Sequence, residues 1–210
     1  ILAIPTLTSS STAAPKDRSR RCGETVKLND RPHWYANYAK TYLLAAEAIW
    51  SNDQVNKHSL IFPGPITQLL GHAAELTLKA HLLLHEYSEA DFKRYYGHEI
   101  PKLAQELSTK SDILDRVEQH VSTHKSVTSV SVPERHAKHL INQGKRLEDW
   151  YSFRLHLLTL SASYNKEPTN GDVYSSRYPP RNDFFRVYYH MIIAVGLEFL
   201  LSQIDCAGGK

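Results

Sequence analysis

One stretch near the C-terminal end constrains this chain more than any other: over 183–204 almost every position is apolar. Phe184, Tyr188, Met191, Val195 and Phe199 recur at steps of three and four and make one helical face. Phe185, Ile192, Ile193, Leu197 and Leu200 cover most of the remaining circumference, leaving Arg186, His190 and Glu198 on a narrow polar strip. A helix apolar on nearly every side must lie at the centre of a bundle or bury its outer face against a second subunit. His190 and Glu198 interrupt the run before it reaches the roughly eighteen apolar residues of a membrane span, so no span is expected.

The rest of the chain also reads as helical. Tyr35, Tyr38, Tyr42, Ala45, Ala46 and Ile49 predict a helix over 33–51 with an aromatic and apolar stripe. Phe62-Pro63-Gly64-Pro65 breaks the chain, and a second helix follows over 66–87. Leu69, Ala73, Leu76, Ala80 and Leu83 share its inner face, widened by Leu70, Ala74 and Leu78. Its opposite side carries His72, Glu75, Lys79 and Glu86, with Glu75 and Lys79 spaced as a solvated i,i+4 ion pair.

Ser88 and Asp91 form a capping-box pattern that opens a short helix over 89–95, ended by Gly97. Leu103 and Leu107 mark another, and 112–121 a further one. The Ser-, Thr- and Val-rich stretch 122–132 has no visible partner strand and is expected to be a loop. Pro133 suits the first turn of a long helix reaching about 161, and 164–180, with its prolines and Gly171, reads as a long loop. The expected fold class is an all-α bundle of four to five main helices with short extra ones.

Composition sets further bounds. The 210 residues include 41% apolar and 22% charged positions, enough for one domain to bury a core without metal or disulfide staples. Residues 1–31 are rich in Ser, Thr, Pro and Arg and are expected to form a flexible tail, with the bundle over 32–206 and a short tail over 207–210. The net charge of +3 permits a nucleic-acid partner without demanding one. Cys22 and Cys206 form no CxxC pair, which argues against a thiolate zinc site or a dithiol redox centre and favours a reducing, cytoplasmic setting; whether they pair is left open.

Familiar catalytic motifs are missing. The chain has no P-loop, no GxGxxG and no GxSxG elbow. His81 with His85, and His120 with His124, have the helical spacing of a metal pair, but carboxylates at ligand spacing do not accompany them. They read as packed or surface histidines, and neither a metal nor a cofactor is expected.

Two segments carry a family resemblance. Residues 74–82, Ala-Glu-Leu-Thr-Leu-Lys-Ala-His-Leu, and then 97–103, Gly-His-Glu-Ile-Pro-Lys-Leu, resemble the alanine–glutamate helix and the following Gly-His motif of HEPN domains. Tyr174-Ser175-Ser176-Arg177-Tyr178-Pro179 is similar to the Arg-Tyr-Pro element that several HEPN branches carry before their last helix. The family-motif positions are Glu75, Lys79, Gly97, His98, Arg177, Tyr178 and Pro179. The resemblance implies a bundle of four or five helices that commonly dimerises, within toxin–antitoxin, phage-defence or RNA-processing systems. Active members are metal-independent endoribonucleases with an arginine followed, after four to six residues, by a histidine.

This chain departs from that spacing: Arg94–His98, Arg116–His120, Arg135–His139 and Arg186–His190 all have three intervening residues. Arg186 and His190 would still share a helix face, and Arg181 lies further upstream. These three are the candidates for phosphate steadying and proton transfer. Arg177, Arg181 and Lys79 are the candidates for phosphate binding, with Tyr178 for base stacking. His98 is expected to satisfy a helix end or pack under a loop.

Three functions remain open from sequence. The first is a HEPN-like module, dimeric through the last helix, that binds RNA, a nucleotide or a partner protein without standard nuclease chemistry. The second is a divergent endoribonuclease, and the third a structural bundle in a larger complex.

Overall fold

In the computed structural model, residues 30–52, 64–164 and 189–207 are described. They form helices α1 (Arg31–Trp50), α2 (Gly64–Leu84), α3 (Glu89–Asp91), α4 (Ile100–Lys110), α5 (Ile113–Thr123), α6 (Lys125–Thr128), α7 (Glu134–Asn142), α8 (Phe153–Tyr164) and α9 (His190–Ala207). A π-helical turn, Phe92–Tyr96, continues α3, and a 3-10 turn, Leu147–Tyr151, precedes α8. Among the described residues there is no strand, and the fold is an all-α bundle.

Helix α2 is the axis, touching α1, α4, α8 and α9. Its Leu70, Leu78 and Leu82 are sealed from solvent together with Leu103 and Leu107 of α4, Leu160 of α8, and Ile192, Ile193 and Leu197 of α9. Burying side chains of this size contributes about 1.5–3 kcal/mol each relative to exposure, and their shared core is what holds the helices together. Every residue from Ile192 to Leu197 is buried within the chain, so the apolar circumference of α9 is accounted for by a central position. Small residues let the helices approach. Ala36, Ala39 and Ala46 bring α1 close to the axis, and a Cβ on Gly196 would lie 2.1 Å from the Phe153 ring.

Several expectations are corrected. The inner face of α1 is formed by Ala36, Ala39, Leu43 and Ala46, whereas Tyr38, placed above in the apolar stripe, is 61% exposed. The long helix expected from Pro133 to about 161 is broken into α7, the 3-10 turn and α8. Gly144 turns the chain at φ +67°, in the left-handed region that glycine enters without a Cβ penalty. A new helix start is then captured by Glu118 of α5, whose carboxylate accepts the backbone N–H groups of Phe153 at 2.8 Å and Arg154 at 2.7 Å. Part of the expected 122–132 loop is helical, because α5 runs to Thr123 and α6 follows at once. The capping box at Ser88 and Asp91 forms as expected, with Ser88 N–H donating to Asp91 Oδ2 at 2.8 Å. Of the expected tails, Asp30, Arg31 and Ala207 are described, with Arg31 opening α1 and Ala207 closing α9, so the bundle reaches one residue further at each end; the rest of the tails, and the 164–180 loop apart from Tyr164, lie outside the described residues.

Candidate functional site

The centre of the site is a carboxylate inside the bundle. Glu75, midway along α2, is 3% exposed, and Lys79 one turn later is 8% exposed. The polar side expected for α2 is therefore interior at these two positions, and the pair is not a solvated surface bridge. Neighbouring elements cover it: α1 lies along α2, the π-helical turn brings Phe92 over Lys79, and α8 brings Tyr164 against Glu75.

Three groups meet at this carboxylate. Lys79 Nζ donates to Glu75 Oε1 at 2.6 Å, Tyr164 Oη donates to Oε2 at 2.8 Å, and His98 Nδ1 lies 3.0 Å from both oxygens. Burial alone would push the Glu75 carboxyl up. The hydrogen bond and charge of Lys79, with the bonds from His98 and Tyr164, outweigh that and hold it below its ordinary value. A carboxylate can only accept, so Tyr164 spends its proton on Glu75 and accepts from His72 Nδ1, 2.9 Å away. His72 Nε2 then accepts from the Gln68 amide at 2.7 Å. Gln68, His72, Tyr164 and Glu75 thus form one chain of donors directed toward the carboxylate.

Local sequence explains how His98 arrives there. The Gly97 N–H closes the π-helical turn on Phe92 O at 2.7 Å, and Gly97 adopts φ +54° and ψ −119°, a conformation disfavoured for residues with a Cβ. This turn sets the imidazole over Glu75 while the side chain remains 76% exposed. His98 therefore neither ends a helix nor packs under a loop. Its Nδ1–H points to a buried carboxylate, and in the neutral ring Nε2 presents a lone pair toward solvent, the arrangement of an oriented general base.

Beside Lys79 opens a pocket of about 440 Å³, lined by Arg31, Trp34, Tyr35, Tyr38, Leu76, Lys79 and Glu89. Trp34 is 53% exposed, so aromatic surface faces the opening. The Lys79 ammonium also sits 5.7 Å from the Phe92 ring centre, a cation–π contact. Arg31 Nη1 approaches Glu89 Oε1 at 3.2 Å on the pocket wall. Burial, and then Glu89, push the Tyr35 hydroxyl up. Trp34 and Tyr38, spaced i,i+4 on α1, share a face by their spacing, and the structure turns that face outward. Tyr164 carries no local signal for its contact with Glu75.

The structure brings together Glu75, Lys79, Gly97 and His98, but Arg177, Tyr178, Pro179, Arg181 and Arg186 lie outside the described residues. His190 opens α9 with its ring 4.8 Å from that of Trp50, and burial lowers its pKa. His81 is packed, its Nε2–H donating to Leu200 O at 3.0 Å. Among the described residues, no cluster of three or more His, Cys, Asp or Glu is placed to hold a metal, and no helix is long and apolar enough to cross a membrane. No family model, curated protein or solved structure matches this chain.

Proposed function

We propose that this chain is a HEPN-like helical module that binds single-stranded RNA at the pocket between α1, α2 and α3. The observation that carries the reading is the pairing of exposed aromatic rings, Trp34 and Tyr38, with the cationic side chains of Arg31 and Lys79 around one cavity. Single-stranded nucleic acids are held by that combination: bases stack on aromatic faces while cations meet the phosphates. Lys79, expected above to bind phosphate, is on the pocket wall. Glu75 fixes its position.

The test is fluorescence anisotropy of a labelled single-stranded RNA in EDTA. Trp34→Ala and Tyr38→Ala alter exposed rings, so the fold should persist. Each is expected to weaken binding by roughly five- to 150-fold, the worth of one stacked base. Absence of RNA affinity in the parent protein, or affinity indifferent to both substitutions, overturns the reading.

A second reading, a divergent metal-independent endoribonuclease, is favoured by the Glu75–His98 arrangement. In it His98 Nε2 takes the 2′-hydroxyl proton as that oxygen attacks the adjacent phosphorus; the bond from phosphorus to the 5′-oxygen breaks, and that oxygen takes a proton from solvent water, giving a cyclic phosphate and a 5′-hydroxyl end. RNA cleavage in EDTA that is lost with His98→Ala and kept with His190→Ala supports it, whereas the reverse pattern returns the chemistry to His190. Dimerisation belongs to the proposal as well. Since α9 buries its apolar sides within the chain, sedimentation of the full chain across a concentration series decides it.

A further inference from the structure

We infer that the pocket between α1 and α3 selects guanine among the four bases, through Arg31 and Glu89 acting side by side. This inference rests on the RNA-binding reading above and narrows it. The apolar part of the pocket, Trp34, Tyr38 and Leu76, accommodates a planar ring but does not discriminate, because every base has a face to stack. Discrimination has to come from polar groups that meet the base edge.

The wall carries two such groups. Arg31 opens α1, Glu89 opens α3, and a single contact of 3.2 Å joins Nη1 to Oε1. A guanidinium has five N–H donors in a planar fork and a carboxylate about four acceptor sites, so the Arg31 contact and the hydrogen bond Glu89 accepts from Tyr35 still leave donors on one side chain and acceptors on the other. The two side chains are 43% and 40% exposed, so a ligand entering the pocket from solvent can reach both.

Together they present a donor fork next to an acceptor pair. Guanine presents the complementary pattern, with O6 and N7 acceptors on one edge, which suit an arginine fork, and N1–H and N2–H donors on the next, which suit two carboxylate oxygens. Adenine offers the carboxylate one amino donor beside the N1 lone pair, and cytosine one amino donor beside the N3 lone pair. Uracil offers a lone N3–H between two carbonyl oxygens, which the carboxylate repels. Guanine alone has two adjacent donors for Glu89 and two acceptors for Arg31.

The experiment compares labelled single-stranded RNA octamers, one all uracil and one with a single central guanine, binding to the full chain and to Glu89→Gln. The guanine octamer is expected to bind about tenfold tighter or more, and Glu89→Gln to erase that preference, so that the two octamers bind the variant equally. Equal binding of both octamers overturns the guanine inference and leaves the RNA reading standing. Binding of neither overturns both. A guanine preference that survives in Glu89→Gln shows that the selection lies elsewhere and overturns the assignment to this pair.

Discussion

Tyr164 reaches across 89 positions of sequence to donate its hydroxyl proton to Glu75 Oε2 at 2.8 Å, and its ring lies where the Cβ of any residue other than glycine at position 71 would have to be. The two facts are linked. Gly71 is one helical turn before Glu75, so the missing side chain at 71 makes the space through which Tyr164 reaches the carboxylate. This contact joins α8 to the middle of α2 and completes the buried network that fixes Lys79.

Gly71→Ala should therefore be costly. Its Cβ would meet Tyr164 ring atoms at 2.2, 2.4 and 2.8 Å, and the ring is 2% exposed, with no room to withdraw. We expect a loss of about 1–3 kcal/mol from overpacking. Tyr164→Phe keeps the ring and removes only the donor, for a loss of about 1.5–3 kcal/mol as a buried hydrogen bond to a charged group. Urea denaturation of both variants measures this. A Gly71→Ala protein as stable as the parent would show that α8 can shift away.

Glu75→Gln removes the charge while keeping the shape. Lys79 is then left buried without its counter-ion, and a loss of about 3–5 kcal/mol is expected. Adding Lys79→Met to the same protein should recover part of that loss, because the stranded ammonium goes with it. If the double variant is less stable than the single by the full cost of another core substitution, the charge pair is not the source of the effect.

Acid should unfold the protein through its buried histidines. Burial first, opposed by a backbone hydrogen bond, lowers both His81 and His156 to about 4. His156 shows why its ring stays neutral: Nδ1 accepts the Tyr189 N–H at 2.9 Å and Nε2–H donates to Trp150 O at 2.8 Å. The folded pKa lies below the unfolded value near 6.5, so the unfolded chain binds more protons as pH falls. Stability is full above that value and drains away toward pH 4, on the order of 3 kcal/mol for each histidine. Glu75, held below its ordinary value, adds a further loss at lower pH still. Urea midpoints taken across this range should fall steadily; a level series between pH 7 and 4.5 would contradict the neutral buried rings.

Gly97→Ala separates backbone strain from crowding. A Cβ there has nothing within 4 Å, so the cost comes from φ +54° and ψ −119° alone, about 1–3 kcal/mol. His98 should leave Glu75 with it. The NMR chemical shifts of the His98 imidazole at fixed pH should then change as the ring loses its contact with the Glu75 carboxylate, whereas unchanged resonances would mean that the turn does not position the ring.

Much of the architecture is legible from local patterns. The apolar steps of α2 and α9, the Ser88 capping box and the break at Gly97 each depend on residues within a turn or two, and all appear in the structure. The break inside 133–161 was not legible in the same way. Hydrophobic pattern alone favours one helix there; Gly144, in the left-handed region, turns the chain after α7, and a carboxylate from α5, far upstream, satisfies the start of α8.

The site divides along the same line. Sequence placed Glu75 and Lys79 one turn apart and set Gly97 before His98, because spacing along a helix and the demand for glycine at a turn are local properties. Tertiary structure alone decided that the pair is buried, that His98 and Tyr164 converge on it, and that Trp34 and Tyr38 face an opening rather than the core. Periodicity reports how apolar each side of a helix is. Whether a charged side chain lies inside depends on donors carried in from remote parts of the chain, and no pattern within α2 encodes them.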